Sequence, residues 1–176
     1  MAVDPNLYYR TIAEADDYFA DQLFASDWTN ASDDDKGKAL LAATRAVDQL
    51  RFSGVKKTVY DLLQSNPNAS DAAIQAAYDS QTLQFPRDTQ TVATVPDRVF
   101  YAVCEEAREL LTGRDPQQEY RNLELTSDGV GSSRVSSDRS TVGPDHTVHG
   151  LVSPTAWKLL REYLTPDGRS FSYKRV

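Results

Sequence analysis

The run from Val95 to Leu111 constrains this chain more than any other stretch. Pro96 suits the first turn of a helix, where its missing N–H costs nothing. From there Val99, Ala102, Val103, Ala107, Leu110 and Leu111 recur at the spacing of one helical face. Asp97, Arg98, Glu105, Arg108 and Glu109 fall on the other face, and Glu105, Glu106 and Glu109 read as its solvated side. Gly113 supplies a C′ stop. This helix is expected at the centre, with the others packed around it. Just before it, Leu83-Gln84-Phe85-Pro86-Arg87 should be extended, because Pro86 disfavours the α region for Phe85 and cannot continue a helix. Phe85 then reads as an anchor into the core.

The upstream chain carries two more helix signatures. Thr11-Ile12-Ala13-Glu14 has the form of a capping box, and Ile12, Ala15, Phe19 and Leu23 line one face to about Ala25. Phe19 is a core anchor in this reading, and Trp28, in the connection, closes over the core. Ser32 is a good N-cap, and Asp33, Asp34 and Asp35 put negative charge where the helix dipole favours it. Three consecutive helical residues point in different directions, so this run reads as a cap and not as a metal site. Leu40, Ala43, Val47 and Leu50 form the next buried face, ended by Gly54. Residues 55 to 82 read as a variable excursion, with a helical turn at Val59 to Leu63 and a short helix from Ser70 through Tyr78.

After Gly113 the character changes. Tyr120 to Thr126 and Ser133 to Val142 are rich in β-branched and small polar residues around Asp128-Gly129-Val130-Gly131, which predicts a β-hairpin or extended flap. Ser153-Pro154 opens a last helix with Trp157, Leu160 and Leu164 on one face, Trp157 being a further core anchor. Pro166 and Gly168 stop it, and an alternating tail follows that ends basic. The fold class is therefore mainly α: a helical bundle with an appended β-hairpin or flap, then a C-terminal helix and extended tail. The parts are residues 1–112 (with the excursion at 55–82), 113–152 and 153–176.

The chain of 176 residues is the size of one ordinary domain. No apolar run approaches the roughly 18 residues of a transmembrane helix. The first residues, Met1-Ala2-Val3-Asp4-Pro5, lack the basic and apolar regions of a secretion signal. The single cysteine, Cys104, fits a reducing compartment. A net charge of −7 argues against gripping nucleic acid through a broad basic surface, though not against a protein that DNA merely passes.

No reaction centre emerges. Ser53-Gly54-Val55-Lys56 matches S-x-x-K, but that chemistry needs the pair at a helix start, and Gly54 sits where a helix should stop. His146 and His149 have metal-like spacing without a helical frame or a cysteine nearby, and read as solvent-facing loop residues. Cys104 reads as an inert thiol, and Gly129 and Gly131 lack the third glycine of a dinucleotide loop. Tyr8, Tyr9, Tyr18 and Phe19 lack the interleaved basic residues of a single-strand platform, so core and interface roles fit them better. Neither an enzymatic activity, a metal nor a cofactor is expected.

Four stretches read together carry a resemblance: Tyr9 to Ala20 with Trp28, Lys36 to Asp48 with Phe52-Ser53-Gly54, Leu83 to Arg87, and Val95 to Val99. Their order resembles the tailed-phage head–tail connector (adaptor) proteins, including those bearing a DnaT-like domain. The likeness covers roughly residues 8 to 112, and the excursion at 55–80 departs from it. The resemblance implies a structural virion protein made in the host cytoplasm and sited in the virion neck. It implies a homo-oligomer, a dodecameric ring beneath the portal protein, extending the DNA channel toward a tail or second neck protein without binding DNA specifically. On that reading Phe171, Tyr173 and Arg175 would dock on the portal, and Tyr120, Leu123, Leu125, Val135 and Val142 would meet a neighbouring subunit. The alternative is a monomeric helical adaptor or DNA-replication accessory module.

Overall fold

The structure, a computed structural model, describes residues 7–88, 94–124, 127–130, 133–136 and 145–165. Helix α6 (Asp97–Leu111) runs through its centre. Pro96 stands one position earlier than expected, as the N-cap, and Gly113 closes the far end at a φ of 85°, a conformation that favours glycine. Val99, Phe100, Ala102, Val103, Cys104 and Ala107 are all buried. Helices α3 (Asp33–Asp48) and α9 (Pro154–Leu160) flank α6. Both run against it: Asp35 and Ala39 near the start of α3 face Leu110 and Leu111, and Arg98 pairs with Glu162 just past the end of α9.

Helix α1 (Ile12–Ala20) opens with the full capping box: the Thr11 N–H donates to Glu14 Oε2 (2.8 Å) and the Glu14 N–H to Thr11 Oγ1 (3.3 Å). It ends five residues earlier than expected. The N–H groups of Asp21 and Gln22 both turn back to the Phe19 carbonyl, and the chain leaves the helix there. Leu23, expected on the buried face, is instead 93% exposed, and Phe24 is 82% exposed. Helix α2 (Ser26–Thr29) then buries Trp28 against Phe19, their rings 5.0 Å apart. The Trp28 indole N–H and the Lys36 ammonium both donate to Asp16 Oδ1, at 2.7 and 2.8 Å.

The excursion is a helical hairpin, α4 (Lys57–Ser65) and α5 (Asp71–Ser80), longer at both helices than the sequence suggests. Lys56 closes it by donating to the carbonyls of Tyr78 (3.2 Å) and Gln81 (2.6 Å). Arg87 ties it to the bundle: its guanidinium, buried, donates to the carbonyls of Ser53 (2.8 Å) and Gly54. Phe85 precedes a cis bond to Pro86 and lies among Phe52, Tyr9 and Tyr163, at ring distances of 4.8, 6.3 and 5.7 Å. Asp48 links the amino-terminal arm to this segment, accepting from the Tyr9 hydroxyl and from the Gln84 N–H.

Beyond α6 the strand expected from Tyr120 is a helix, α7 (Pro116–Glu124). Its sequence contains no β-branched residue, Pro116 sits where helices tolerate it, and Asp115 accepts the Gln117 N–H at 2.9 Å. Two four-residue strands follow, β1 (Ser127–Val130) and β2 (Ser133–Ser136), antiparallel with Asp128 opposite Val135. Leu123 is thus in the last turn of α7, and Tyr120 is exposed on it. Leu125, Val142, Phe171, Tyr173 and Arg175 fall outside the described residues. Helix α8 (Asp145–Val148) leads into α9.

The largest departure is on α6 itself. Glu105 and Glu106 are buried, not solvated. Glu105 accepts the Tyr18 hydroxyl (2.8 Å) and pairs with Arg108 (2.8 Å). Glu106, 0% exposed, accepts the N–H of Val152 at 2.9 Å and of Ser153 at 2.8 Å, while Ser153 Oγ caps α9 at the Ala156 N–H. Apolar spacing alone could not reveal that α9 begins opposite this position and brings unpaired donors to it.

Burial raises the Glu106 carboxyl above its ordinary value of 4.5, against the lowering pull of the two N–H donors. A carboxylate raised in the fold contributes most when protonated, below its ordinary value, and loses that contribution as pH climbs through the folded value. The native protein should therefore lose stability relative to Glu106→Gln as pH rises from about 4 to 7. Urea unfolding at both pH values checks this; a constant or opposite difference contradicts it. Glu106→Ala, which strands buried N–H groups, should cost about 2–4 kcal/mol.

Candidate nucleic-acid interface

The residues that invited a catalytic or metal reading are placed apart. Ser53 Oγ donates to the Leu164 carbonyl at 3.1 Å, and Lys56 is committed to carbonyls of the α4–α5 hairpin. Cys104 is fully buried, and burial holds its thiol well above the ordinary value, which keeps it from being nucleophilic. His146 is half-buried, its imidazole pushed down by burial and then by Arg114. Among the described residues no group of three or more His, Cys, Asp or Glu side chains could hold a metal ion.

Charge, by contrast, is strongly segregated. Residues 11–35 contain eight acidic and no basic side chains, and residues 154–176 contain five basic and two acidic. The fold places the acidic part of this in space. The acidic stretch runs along α1, beside α6, to α2 and the start of α3, by the C-terminal end of α6. The opposite end, where α3 and α9 finish, is joined by two short ties. The Ser53 N–H donates to the Tyr163 carbonyl at 2.8 Å and the Thr165 N–H to the Arg51 carbonyl at 3.0 Å. Exposed cations that make no ion pair among the described residues are Arg45 and Arg51 at this end, Lys158 and Arg161 on α9, and Arg121 on α7.

An aromatic pair adjoins Lys158 and Arg161. The imidazole of His149, which is exposed, stacks on the half-buried indole of Trp157 at 4.8 Å and 13°. Arg161 lies one helical turn beyond Trp157 on the same face, with Lys158 beside it. A flat aromatic stack next to unpaired cations is what sequence-tolerant single-strand recognition uses: bases stack, and phosphates meet the charges. The other exposed tyrosines are less suited. Lys56 lies over the Tyr78 ring but is spent on carbonyls, and Lys57 beside Tyr60 pairs with Asp61.

Reading the sequence by motif missed this face. It treated Trp157 only as a core anchor and His149 only as a loop residue. Their stacking depends on the turn between α8 and α9, where Gly150 takes a φ of 80° and the Leu151 N–H donates to the His146 carbonyl at 2.8 Å, and spacing does not encode that turn. The signal that was available is the contrast in charge between the first thirty-five residues and the last twenty-three.

The fold defines a mainly helical protein built on one buried helix, with no helix among the described residues long and apolar enough to cross a membrane. Residues 8–176 match the model of a family described as "Putative DnaT-like ssDNA binding protein", and the chain belongs to that family. No curated protein and no solved structure matches it. The family match overturns the connector reading, since it is to an ssDNA-binding family and not to a head–tail connector family. With it fall the virion-neck site, the dodecameric ring, the portal and tail partners, and DNA passing without being bound.

The local field around Trp157 is directly measurable. Trp28 is fully buried, so ionic quenching of fluorescence reports Trp157. Iodide should quench it more strongly than caesium, and Lys158→Glu with Arg161→Glu should reverse the order. Equal quenching by both ions contradicts a cationic face there.

Proposed function

We propose that this chain is a DNA-replication accessory module that binds single-stranded DNA through the α8–α9 face. The observation that carries the reading is the match of residues 8–176 to a DnaT-like ssDNA-binding family. The face supports it: His149 and Trp157 offer a ring stack, and Lys158, Arg161 and Arg51 offer phosphate contacts. The role is one of binding, with no reaction assigned to the chain.

The net charge of −7 is compatible with this because residues 11–35 carry eight acidic and no basic side chains, which leaves the rest of the chain close to neutral. Repulsion from that stretch falls off over a Debye length of about 8 Å at physiological salt. It orients the molecule on the strand and keeps affinity modest. Three phosphate contacts at about 0.7 each give a salt slope near −2 in log–log form.

Fluorescence anisotropy with a labelled oligothymidylate tests the reading. The native protein should bind it, more tightly than a duplex of equal length, with Trp157 quenched on binding. His149→Ala should cost about 1–3 kcal/mol. Lys158→Glu with Arg161→Glu should weaken binding further and flatten the salt slope. Unaltered binding by both variants would move the site elsewhere, and no binding at low salt would remove the function.

A further inference from the structure

Leu23 and Phe24, at 93% and 82% exposure, are the most exposed large apolar side chains among the described residues, and they are adjacent. They stand on the link between α1 and α2, which is held against the bundle where Arg108 Nη1 donates to the Phe24 carbonyl at 3.4 Å. A groove of about 590 Å³ opens between α2, the start of α3 and the end of α6, its lining beginning at Ser26, two residues after Phe24. Its apolar lining is Ala31, Ala39, Leu110 and Leu111, and Asp27 and Asp35 also line it. Two adjacent large apolar residues standing in water, next to a groove of mixed polar and apolar lining, mark an interaction surface.

The surrounding charge says what kind of partner fits. The exposed carboxylates of Asp17, Asp21, Asp27 and Asp33 make no ion pair among the described residues. Lys38, the cation at the groove, is already neutralised by Asp34 and Asp35 at 2.6 and 3.4 Å. Such a rim repels nucleic acid and acidic partners, and it attracts lysine and arginine. The surface is made of helices and offers no strand edge, so the recognition mode it suits is a helix laid in a groove.

We propose that Leu23, Phe24 and the groove next to them dock an amphipathic helix of a partner protein that carries basic residues along its flanks. The apolar stripe of that helix covers Leu23, Phe24 and Leu111, and its cations face Asp21, Asp27 and Asp35. The surface is built from α2, the start of α3 and the end of α6, and shares no residue with the His149–Trp157 stack. The docking surface stands whether or not the chain binds DNA.

The test uses the full chain and a labelled 15-residue peptide of leucine and lysine with leucine at helical spacing. A scrambled peptide of the same composition and an acidic peptide of the same pattern are controls. The amphipathic basic peptide should bind the native protein. Leu23→Ser with Phe24→Ser should weaken it tenfold or more, and Asp21→Asn with Asp27→Asn severalfold with a shallower salt dependence. Neither pair touches the core, and circular dichroism checks that each variant folds. Equal binding of the scrambled or acidic peptide, or unchanged binding by the Leu23–Phe24 variant, overturns the proposal. So does sedimentation showing a native dimer that this variant dissolves, since the occupant would then be a second copy. Oligothymidylate affinity, measured in the same variants, should not change; its loss would count against the placement of the strand and leave the peptide result standing.

Discussion

A single buried carboxylate, that of Glu106, decides where α9 sits. Two consecutive backbone N–H groups, of Val152 and Ser153, would be stranded in the interior without it. Glu106 meets both from the middle of α6, and Ser153 then caps α9 with its own hydroxyl. Because the acceptor is one side chain on the buried central helix, the start of α9 is fixed in position and direction. Trp157 and Arg161 inherit their placement from this contact, and so does the imidazole stacked on the indole. Burying the carboxylate is costly, and the N–H donors offset part of that cost. The compensation is geometric: a helix of only seven residues gains a defined seat.

The other end of α6 does the opposite work. There the bundle collects aspartates on short helices and lets the chain run exposed through Leu23 and Phe24. With α3 and α9 both running against α6, Arg45 and Arg51 stand at the end of α3 and Arg161 at the end of α9, while Asp33, Asp34 and Asp35 stand at the start of α3. The sequence order of charges thus becomes a spatial separation. A protein with a net charge of −7 can present a cationic face only by such separation, and the antiparallel packing supplies it.

The helical core was legible in the sequence because burial and spacing coincide there. Val99, Val103 and Ala107 recur as a buried face, and Thr11 with Glu14 form a cap whose chemistry is local. Illegibility began where a partner from far along the chain decides the outcome. Glu105 and Glu106 looked solvated because nothing near them in sequence announces Tyr18 or the N–H groups of Val152 and Ser153. Leu23 fits the apolar face of α1, yet the turn at Phe19 removes it from that face. Residues 120–124 were read together with the β-like stretch that follows them, although the composition of Pro116–Glu124 is helical. The connector resemblance rested on short motifs of the core, which specify a bundle and not what the bundle binds.

The account stands or falls on where a single strand lies. Backbone amide shifts recorded during titration with an oligothymidylate locate it residue by residue. Changes should concentrate at His149, Trp157, Lys158, Arg161 and Arg51 and be absent from residues 16–35. Changes centred on the acidic end, or on the α4–α5 hairpin with the α8–α9 face silent, would contradict it.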